Sequence, residues 1–227
     1  MRPAPEVIAV IAAYREAGRV GAVVRELKTR VTEVVVVDDG SPDRTGAEAE
    51  AAGARVIRHV LNRGQGAALA TGLAYALARG ADVVVTFDAD GQHDPEDIPA
   101  LTGPILRGEA DVVLGSRFLD GRSNPPPLRR ALLAAARVLT NFSTGVRLTD
   151  AHNGLRAFSR EAASRIRIRQ DRMAHASEIT AEIGRLKLSR VEVPVRIRYT
   201  PESLRKGQSG LGALRILFDL LLGEAVR

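Results

Sequence analysis

The chain has 227 residues, of which 45% are hydrophobic, and this is enough for one sizeable core. It contains no cysteine, so disulfide bonds, thiolate zinc sites and cysteine nucleophiles are excluded. The excess of 33 basic over 27 acidic residues favours an anionic partner such as a nucleotide, a lipid phosphate or a membrane surface, whereas an aromatic content of 4% without tryptophan predicts no nucleic-acid partner.

Predicted strands alternate with predicted helices over the first half of the chain. The β-branched, apolar runs that predict strands are Val7–Ala12, Glu33–Val37, Arg55–Arg58, Val83–Phe87 and Asp111–Leu114. The helical patterns between them are Gly18–Arg30, Arg44–Ala52, Gln65–Ala78 and Asp94–Leu106. This alternation predicts an α/β fold with a mainly parallel, Rossmann-like sheet and helices on both faces.

The second half departs from this alternation. Pro125–Pro127 interrupts it and is expected to start a helix that continues over Leu128–Phe142. Leu155–Phe158 and Arg190–Tyr199 are predicted strands, and the alternating polarity of the second predicts a half-exposed, antiparallel edge. An amphipathic helix is predicted over Leu211–Val226.

The fourth predicted strand, Val83–Phe87, is followed by a cluster of oxygen-bearing side chains that includes Asp88, Asp90 and Gln92. Because open α/β sheets bind ligands at the carboxyl ends of their strands, this cluster should lie at a ligand site. Its oxygen atoms suit a hard divalent cation, which takes its remaining ligands from water and substrate phosphates. The sequence therefore predicts a metal, Mg²⁺ or Mn²⁺, that holds a diphosphate.

The second predicted strand also ends in two carboxylates, Asp38 and Asp39. One interpretation is a plain turn in which Ser41 or Asp43 caps the next helix. In a parallel sheet, however, this strand end lies at the same edge as Asp88, where converging like charges need a cation or a hydroxyl-rich ligand. We therefore expect one acidic pair to accept hydrogen bonds from a ribose or a base while the other holds the metal.

Two further segments at the same edge each have two interpretations. Tyr14 could pack on a base while Glu16 accepts hydrogen bonds from it, or the two could be a core-rim residue and a first-turn helix charge. The glycine-rich Asn62–Gly66 could aim backbone N–H groups at an anion, or it could be a plain loop-to-helix turn.

Arg117 follows the fifth predicted strand and should emerge at the same edge as Asp88. A guanidinium there suits a second phosphate, because it can form bidentate hydrogen bonds. The other basic residues of this region lie on either side of the proline run, at Arg122, Arg129 and Arg130.

Six motifs in order resemble family 2 glycosyltransferases of the GT-A fold, and most of all the dolichol- or polyprenol-phosphate mannosyltransferases and glucosyltransferases. The motifs are Ala13-Tyr-Arg-Glu16, Val36-Val-Asp-Asp-Gly-Ser41, Asn62-Arg-Gly-Gln-Gly66, Asp88-Ala-Asp-Gly-Gln92, Gly115-Ser-Arg117 and Asp150-Ala-His-Asn-Gly-Leu-Arg156. The resemblance implies an inverting transfer of a hexose from a nucleotide-diphosphate sugar to polyprenyl or dolichyl phosphate. GDP-mannose is the first expectation for the donor, and UDP- or GDP-glucose is the next.

The resemblance also implies a role for individual residues. The nucleoside and its diphosphate would contact Tyr14, Glu16, Asp39 and Asp88. The metal and diphosphate would be held by Asp88, Asp90 and Gln92. The acceptor lipid phosphate would be bound by Arg117, Arg129, Arg130 and Arg205. Catalysis would rest on Asp88, Asp90 and Arg117, within a catalytic domain formed by residues 1–208.

This chain departs from the family pattern at Ala13, Arg15 and Gln65. Relatives usually carry proline and often asparagine at the first two positions, and a lysine is common at the third. The change at Gln65 removes one positive charge near the expected phosphates. These departures bear on the identity of the substrate more than on the class of reaction.

A phosphate acceptor needs no general base, because its oxygen is already anionic at neutral pH. A soluble enzyme with a glycan or small hydroxyl acceptor would need one, and Asp150 and Glu178 are the candidates. A nucleotidyltransferase is disfavoured because Ala13–Gly18 lacks a glycine-rich, basic phosphate loop. A non-catalytic nucleotide-sugar sensor is disfavoured by the presence of Asp88 and Asp90 together with Arg117.

No run of the chain reaches the roughly 18 apolar residues that predict a membrane span. The N-terminal residues show no signal peptide. The helix predicted in residues 209–227 could lie in a membrane interface near a lipid acceptor, or it could pack on the core or in a dimer. We therefore expect a cytoplasmic enzyme, peripheral on the inner face of the membrane.

Overall fold

The structure is a computed structural model that describes residues 4–121, 123, 125–151, 153–172 and 174–199. Seven strands form one sheet in the order β3-β2-β1-β4-β6-β5-β7. The strands are β1 (Val7–Ala13), β2 (Glu33–Asp38), β3 (Arg55–Arg58), β4 (Val83–Asp88), β5 (Val112–Ser116), β6 (Arg156–Ser159) and β7 (Arg190–Pro194). The helices are α1 (Val20–Leu27), α2 (Thr45–Ala51), α3 (Gln65–Ala78), α4 (Ile98–Leu106), α5 (Pro127–Thr144), α6 (Arg160–Arg165) and α7 (His175–Arg185), with a 3₁₀ turn at Pro95–Asp97.

Apolar residues on both faces of the sheet form two cores, which is why the strands consist of long β-branched runs. On one face, side chains of β1, β2 and β4 pack against α1, α2 and α4. On the other, alternate residues of the same strands pack against α3, α6 and α7. Helix α3 lies especially close to β1, because a Cβ on Gly72 would stand 2.2 Å from the Val10 Cγ1. The prediction of an α/β fold with helices on both faces is confirmed.

Strand β1 has the two acidic strand ends on either side of it. Ala13 pairs with Asp38 on β2, and Ala12 pairs with Asp88 on β4, both in parallel register. The expectation that Asp38 and Asp88 share one edge of the sheet is therefore confirmed. This arrangement concentrates negative charge at the carboxyl end of the sheet.

The antiparallel strand was predicted in the wrong place. β7 is an edge strand, but it pairs with β5 in parallel, and it ends at Pro194 rather than continuing to Tyr199. The antiparallel strand is instead β6, which lies inside the sheet between β4 and β5. The alternation of polarity in β7 reflects its half-exposed position and carries no information about strand direction.

Arg205 and the predicted helix over Leu211–Val226 lie outside the described residues, so both remain predictions. Within the described part of the chain, no helix is both long enough and apolar enough to cross a bilayer.

Candidate functional site

A cavity of about 350 Å³ opens at the carboxyl edge of β1, β2 and β4. It lies within the size range of small-molecule sites. Its polar lining includes Tyr14, Glu16, Asp39, Asp88 and Asp90, so all four residues predicted to contact the nucleotide meet in one place.

The segment after β1 supplies an aromatic face and a carboxylate. The Tyr14 side chain is 39% exposed, and the Arg15 guanidinium lies 5.2 Å from its ring centroid. The backbone here is held by the Ser41 hydroxyl, which accepts from the Arg15 N–H at 3.1 Å, and by Thr45, which accepts from the Glu16 N–H at 2.9 Å. The Glu16 carboxylate pairs with Arg19 at 2.8 Å. The exposed ring of Tyr14 can therefore receive a planar base at the rim of the cavity.

The anion that the glycine-rich loop binds is a side chain of this same protein. The carboxylate of Asp39, only 2% exposed, accepts from the backbone N–H groups of Arg63 at 3.0 Å and Gly64 at 2.6 Å. Its Oδ1 also lies 2.7 Å from the Nδ1 of His59. The left-handed φ of Gly64, +110°, allows this close approach. Asp39 thus lines the cavity and anchors the loop that forms one of its walls.

Asp38 has a structural role. Its side chain is fully buried, its Oδ1 accepts from the Ser41 N–H at 2.9 Å, and its Oδ2 lies 3.5 Å from the Arg58 Nε. The turn interpretation therefore holds for Asp38, whereas Asp39 reaches the cavity. Of the two predicted caps, Asp43 does serve the start of the next helix, because its Oδ1 accepts from the backbone N–H of Thr45, the first residue of α2, at 3.0 Å, although Arg44 stands at the N-cap position itself.

Both oxygens of Asp88 are oriented by neighbouring side chains. Gln65 donates its Nε2 to Oδ1 at 3.1 Å, and His93 donates its Nε2 to Oδ2 at 2.9 Å. Burial disfavours the charge of Asp88, but the His93 bond and the nearby His175 and Arg156 outweigh it and hold the pKa of this carboxyl below its usual value. Asp88 is therefore a fixed, ionised carboxylate with a side chain that is 32% exposed to the cavity.

Asp90 is oriented by Gln92, which was itself predicted to be a metal ligand. The Gln92 backbone N–H donates to the Asp90 Oδ1 at 3.0 Å, and the Gln92 side-chain amide donates to the Asp90 Oδ2 at 2.5 Å. The structure thus places Gln92 as a support for Asp90, with its amide nitrogen turned toward that carboxylate.

The chemistry of this cavity fits a divalent metal that is bound partly by substrate. Asp88 and Asp90 line the same cavity and present oriented carboxylate oxygens. Among the described residues, no three or more acidic or imidazole side chains converge to hold a metal by themselves. Mg²⁺ is commonly held by one or two carboxylates with substrate phosphates completing its shell, and this donor set suits that arrangement.

Arg117 is buried and engaged with an acidic partner. Its side chain is 7% exposed, and its Nε lies 2.6 Å from the Oδ2 of Asp150, which also accepts from the Arg117 backbone N–H at 3.1 Å. Burial works against the guanidinium charge, but Asp150 and Tyr199 outweigh it and raise the pKa of Arg117. Glu192 on β7 fixes this partner in turn, because it accepts from the backbone N–H groups of Thr149 at 2.9 Å and Asp150 at 3.2 Å.

The other predicted acceptor residues are only partly described. Arg130 is exposed in the first turn of α5, next to Pro126 and Pro127. The side chain of Arg129 and all of Arg205 lie outside the described part of the chain. Binding of an acceptor phosphate by Arg117, Arg129, Arg130 and Arg205 therefore remains a prediction.

Each candidate general base for a hydroxyl acceptor has one carboxylate oxygen engaged by donors within the protein. The Oδ2 of Asp150 accepts from Arg117 and also from the Asn153 amide at 3.3 Å. Glu178 is 9% exposed, and its Oε2 accepts from the backbone N–H groups of Arg169 and Gln170, both at 2.9 Å. The carboxylate of Glu178 thus closes the loop before α7.

His93 supports Asp88, a role that was not predicted from the sequence. The ring is 4% exposed and meets Phe87 edge-on, with ring centroids 5.3 Å apart. Its position in the turn after Asp88 is the only signal for this role in the sequence, because a single histidine that supports a carboxylate has no characteristic spacing.

Known proteins resemble this chain over most of its length. Residues 8–167 match the model of the family described as Glycosyl transferase family 2. The UDP-N-acetylglucosamine–dolichyl-phosphate N-acetylglucosaminyltransferase of Methanococcus voltae is 32% identical, with 94% of each chain covered. The undecaprenyl-phosphate mannosyltransferase of Micrococcus luteus is 34% identical over 83% of this chain and 82% of that protein.

Solved structures show a similar fold. Glucosyl-3-phosphoglycerate synthase from Mycobacterium tuberculosis, in complex with Mn²⁺, UDP-glucose and phosphoglyceric acid, superposes with a TM-score of 0.67 and is 26% identical. The match covers 96% of this chain and 79% of that one.

Proposed function

This chain belongs to glycosyl transferase family 2, and on that basis we propose that it transfers a hexose with inversion from a nucleotide-diphosphate sugar to polyprenyl phosphate. The observation that carries the proposal is the single cavity in which Tyr14, Asp39, Asp88 and Asp90 meet. The cavity combines one aromatic face with three carboxylates, two of which are oriented by neighbouring side chains. These are groups suited to a base, a ribose and a metal-bound diphosphate.

The donor would lie with its base at Tyr14 and its diphosphate near Asp88 and Asp90. These two carboxylates would hold a Mg²⁺ or Mn²⁺ ion, which supplies electrophilic stabilisation of charge on the leaving diphosphate. Gln65, His93 and Gln92 keep the carboxylate oxygens in fixed directions, so less reorganisation is needed when the donor binds. The solved relative that contains Mn²⁺ and UDP-glucose supports this assignment.

A phosphate acceptor suits the second half of the site. Its oxygen is already a nucleophile at neutral pH and needs positioning more than deprotonation. Asp150 and Glu178 are each committed to donors within the protein, which favours a phosphate over a glycan hydroxyl. The relatives from M. voltae and M. luteus carry dolichyl phosphate and undecaprenyl phosphate in their names and support the same choice. We propose mannose, from GDP-mannose, as the transferred sugar, with UDP- or GDP-glucose next.

Helix α5 supports contact with a membrane surface, where such a lipid would be found. It exposes Leu132 at 42%, Val138 at 61% and Phe142 at 88% of the side chain's possible area. The same helix carries Arg130 and Arg137, which can face anionic headgroups. We propose that α5 lies against the membrane and brings the site to the acceptor at the cytoplasmic face.

The function is tested by measuring release of nucleoside diphosphate from a panel of GDP- and UDP-sugars with Mg²⁺ or Mn²⁺. Each donor is offered with and without a short polyprenyl phosphate. Release that depends on the lipid and prefers one donor supports the proposal and identifies the sugar. Release that ignores the lipid would discard the acceptor, and no release with any donor would discard the transferase.

A further inference from the structure

Arg156 lies at the junction of the two halves of the site. It is the first residue of β6, and because β6 runs antiparallel to its neighbours, it begins at the edge where β4 and β5 end. Its register partners are Thr86 on β4 and Leu114 on β5. Asp88 therefore follows on one side of Arg156, and Arg117 with its partner Asp150 follows on the other.

The guanidinium of Arg156 has no partner within the described part of the protein. The residue as a whole is 4% exposed, and its backbone pairs with β4 and β5, but its side chain forms no hydrogen bond or salt bridge with any residue in the described part of the chain. Burial lowers its pKa to about 10, against the opposing effect of Asp88 and Asp150, so it remains charged at neutral pH. A guanidinium in so enclosed a position is normally paired with an acceptor, and Arg156 is not.

The other buried arginine at this edge shows what Arg156 lacks. Arg117 is similarly buried, but Asp150 accepts directly from its Nε at 2.6 Å. Asp88 and Asp150 act on Arg156 through their charge, and their hydrogen bonds go to other residues, Gln65 and His93 in one case and Arg117 and Asn153 in the other. The guanidinium of Arg156 thus feels the charges of Asp88 and Asp150, and its five N–H donors have no acceptor within the described part of the chain.

We propose that Arg156 binds an oxyanion of a substrate phosphate group at the junction between the donor and acceptor halves of the site. This inference rests on the proposed function, because it requires that the site receives phosphates. The planar guanidinium can give a phosphate two parallel hydrogen bonds, which a lysine cannot reproduce. The phosphate belongs either to the donor diphosphate, on the side of Asp88, or to the acceptor monoester, on the side of Arg117.

A purely structural role makes a different prediction. If Arg156 only balances the charges of Asp88 and Asp150, its loss lowers the stability of the fold but not the affinity of the folded protein for phosphates. Lysine, which keeps the charge, would then restore the wild-type behaviour. If Arg156 binds a phosphate, Arg156→Lys folds like the wild type and still binds the phosphate more weakly.

The test measures affinity and stability separately on the full chain. Isothermal titration with UDP and GDP in the presence of Mg²⁺ probes the diphosphate, and titration with farnesyl phosphate in detergent probes the monoester. We expect Arg156→Gln to weaken at least one probe about tenfold or more, as for a lost charge-assisted hydrogen bond. Thermal unfolding of each variant reports stability. Arg190→Gln, at the exposed amino end of β7, is the matched control and should bind both probes normally.

The two arms identify the source of the phosphate. Weaker binding of UDP and GDP alone assigns Arg156 to the donor, and weaker binding of farnesyl phosphate alone assigns it to the acceptor. Full retention of both affinities by Arg156→Gln and Arg156→Lys overturns this inference and leaves the proposed function standing. A wild-type chain that binds neither probe overturns both. If Arg156→Gln does not fold, two other measurements test the inference. Arg156→Lys must bind a probe more weakly than the wild type, and the NMR signal of the wild-type Arg156 Nε–H must shift when that probe is added.

Discussion

Gly154 lies directly against the carboxylate of Asp88. A Cβ at Gly154 would stand 2.4 Å from the Asp88 Oδ2, well inside any permitted contact. The Gly154 carbonyl meanwhile accepts from the Thr86 hydroxyl at 2.7 Å, so its backbone cannot easily move away. Within the motif Asp150–Arg156, position 154 therefore requires glycine, because the Asp88 side chain occupies the space that a Cβ would need.

We expect Gly154→Ala to displace the Asp88 carboxylate from Gln65 and His93. The clash should cost about 1–3 kcal/mol of stability and reduce donor turnover by about tenfold or more. Turnover at saturating metal and urea unfolding measure the two effects. Gly21→Ala is the control, since its nearest contact would be an ordinary 3.4 Å and alanine suits the helix. Equal activities of Gly154→Ala and wild type would show that Asp88 does not need this position.

Removal of the metal should stop sugar transfer without unfolding the protein. EDTA is expected to abolish turnover, and Mg²⁺ or Mn²⁺ to restore it. Asp90→Asn keeps the shape of the side chain but removes its charge, so we expect a loss of about 100-fold or more in kcat with near wild-type stability. Turnover that persists in EDTA, or in Asp90→Asn, would contradict the assignment of the metal to this carboxylate.

The pair between Arg117 and Asp150 is expected to support stability as well as acceptor binding. Arg117→Ala leaves a buried carboxylate without its cation, which typically costs about 3–5 kcal/mol. The double variant Arg117→Ala/Asp150→Asn should recover part of that loss, because position 150 then carries no buried charge that lacks the Arg117 cation. Denaturant unfolding tests this. For variants that fold, KM for the acceptor should rise more than KM for the donor, and equal increases would move Arg117 to the donor side.

His175 should make the protein less stable in mild acid. Burial lowers the pKa of this histidine in the folded state, while the Arg172 carbonyl that accepts from its Nδ1 at 2.7 Å opposes the shift. The unfolded chain therefore takes up the proton first as the pH falls below 6.5, and the free energy of unfolding declines until the folded-state pKa is reached.

We expect His175→Gln to remove this part of the decline. Urea unfolding of both proteins between about pH 5 and 8 covers the range in which a histidine titrates. The difference in unfolding free energy between wild type and variant should be constant above pH 6.5 and change below it. Parallel curves across the whole range would show that burial does not act on this ring.

The exposed apolar side chains of α5 should contribute to membrane binding. Phe142→Ser and Val138→Ser remove apolar area from residues that are 88% and 61% exposed, so the fold should not suffer. We expect a smaller fraction of each variant than of the wild type to sediment with vesicles of phosphatidylcholine and phosphatidylglycerol. Leu106→Ser, at the exposed end of α4, is the control for loss of a surface apolar group. If Phe142→Ser and Val138→Ser bind the vesicles as well as the wild type does, α5 is not the membrane-binding surface.

The strands and the acidic strand ends could be predicted because their signals are local. The run of valines before Asp38, and the similar run before Asp88, predict buried strands, and two parallel strands bring their ends to one edge. The position of β6 could not be predicted, because pairing with both β4 and β5 depends on the whole sheet. Hydrogen bonds between distant residues, such as those from Gly64 to Asp39 and from Gln65 to Asp88, likewise leave no mark on spacing.

The antiparallel β6 also sets a distance. With neighbouring strands about 4.8 Å apart, inserting one strand between β4 and β5 holds the ends of those two strands about 10 Å apart. If β4 and β5 were direct neighbours, Asp88 and Arg117 would be crowded together. Because β6 separates them, there is room for a sugar ring between a phosphate bound near Asp88 and a phosphate bound near Arg117.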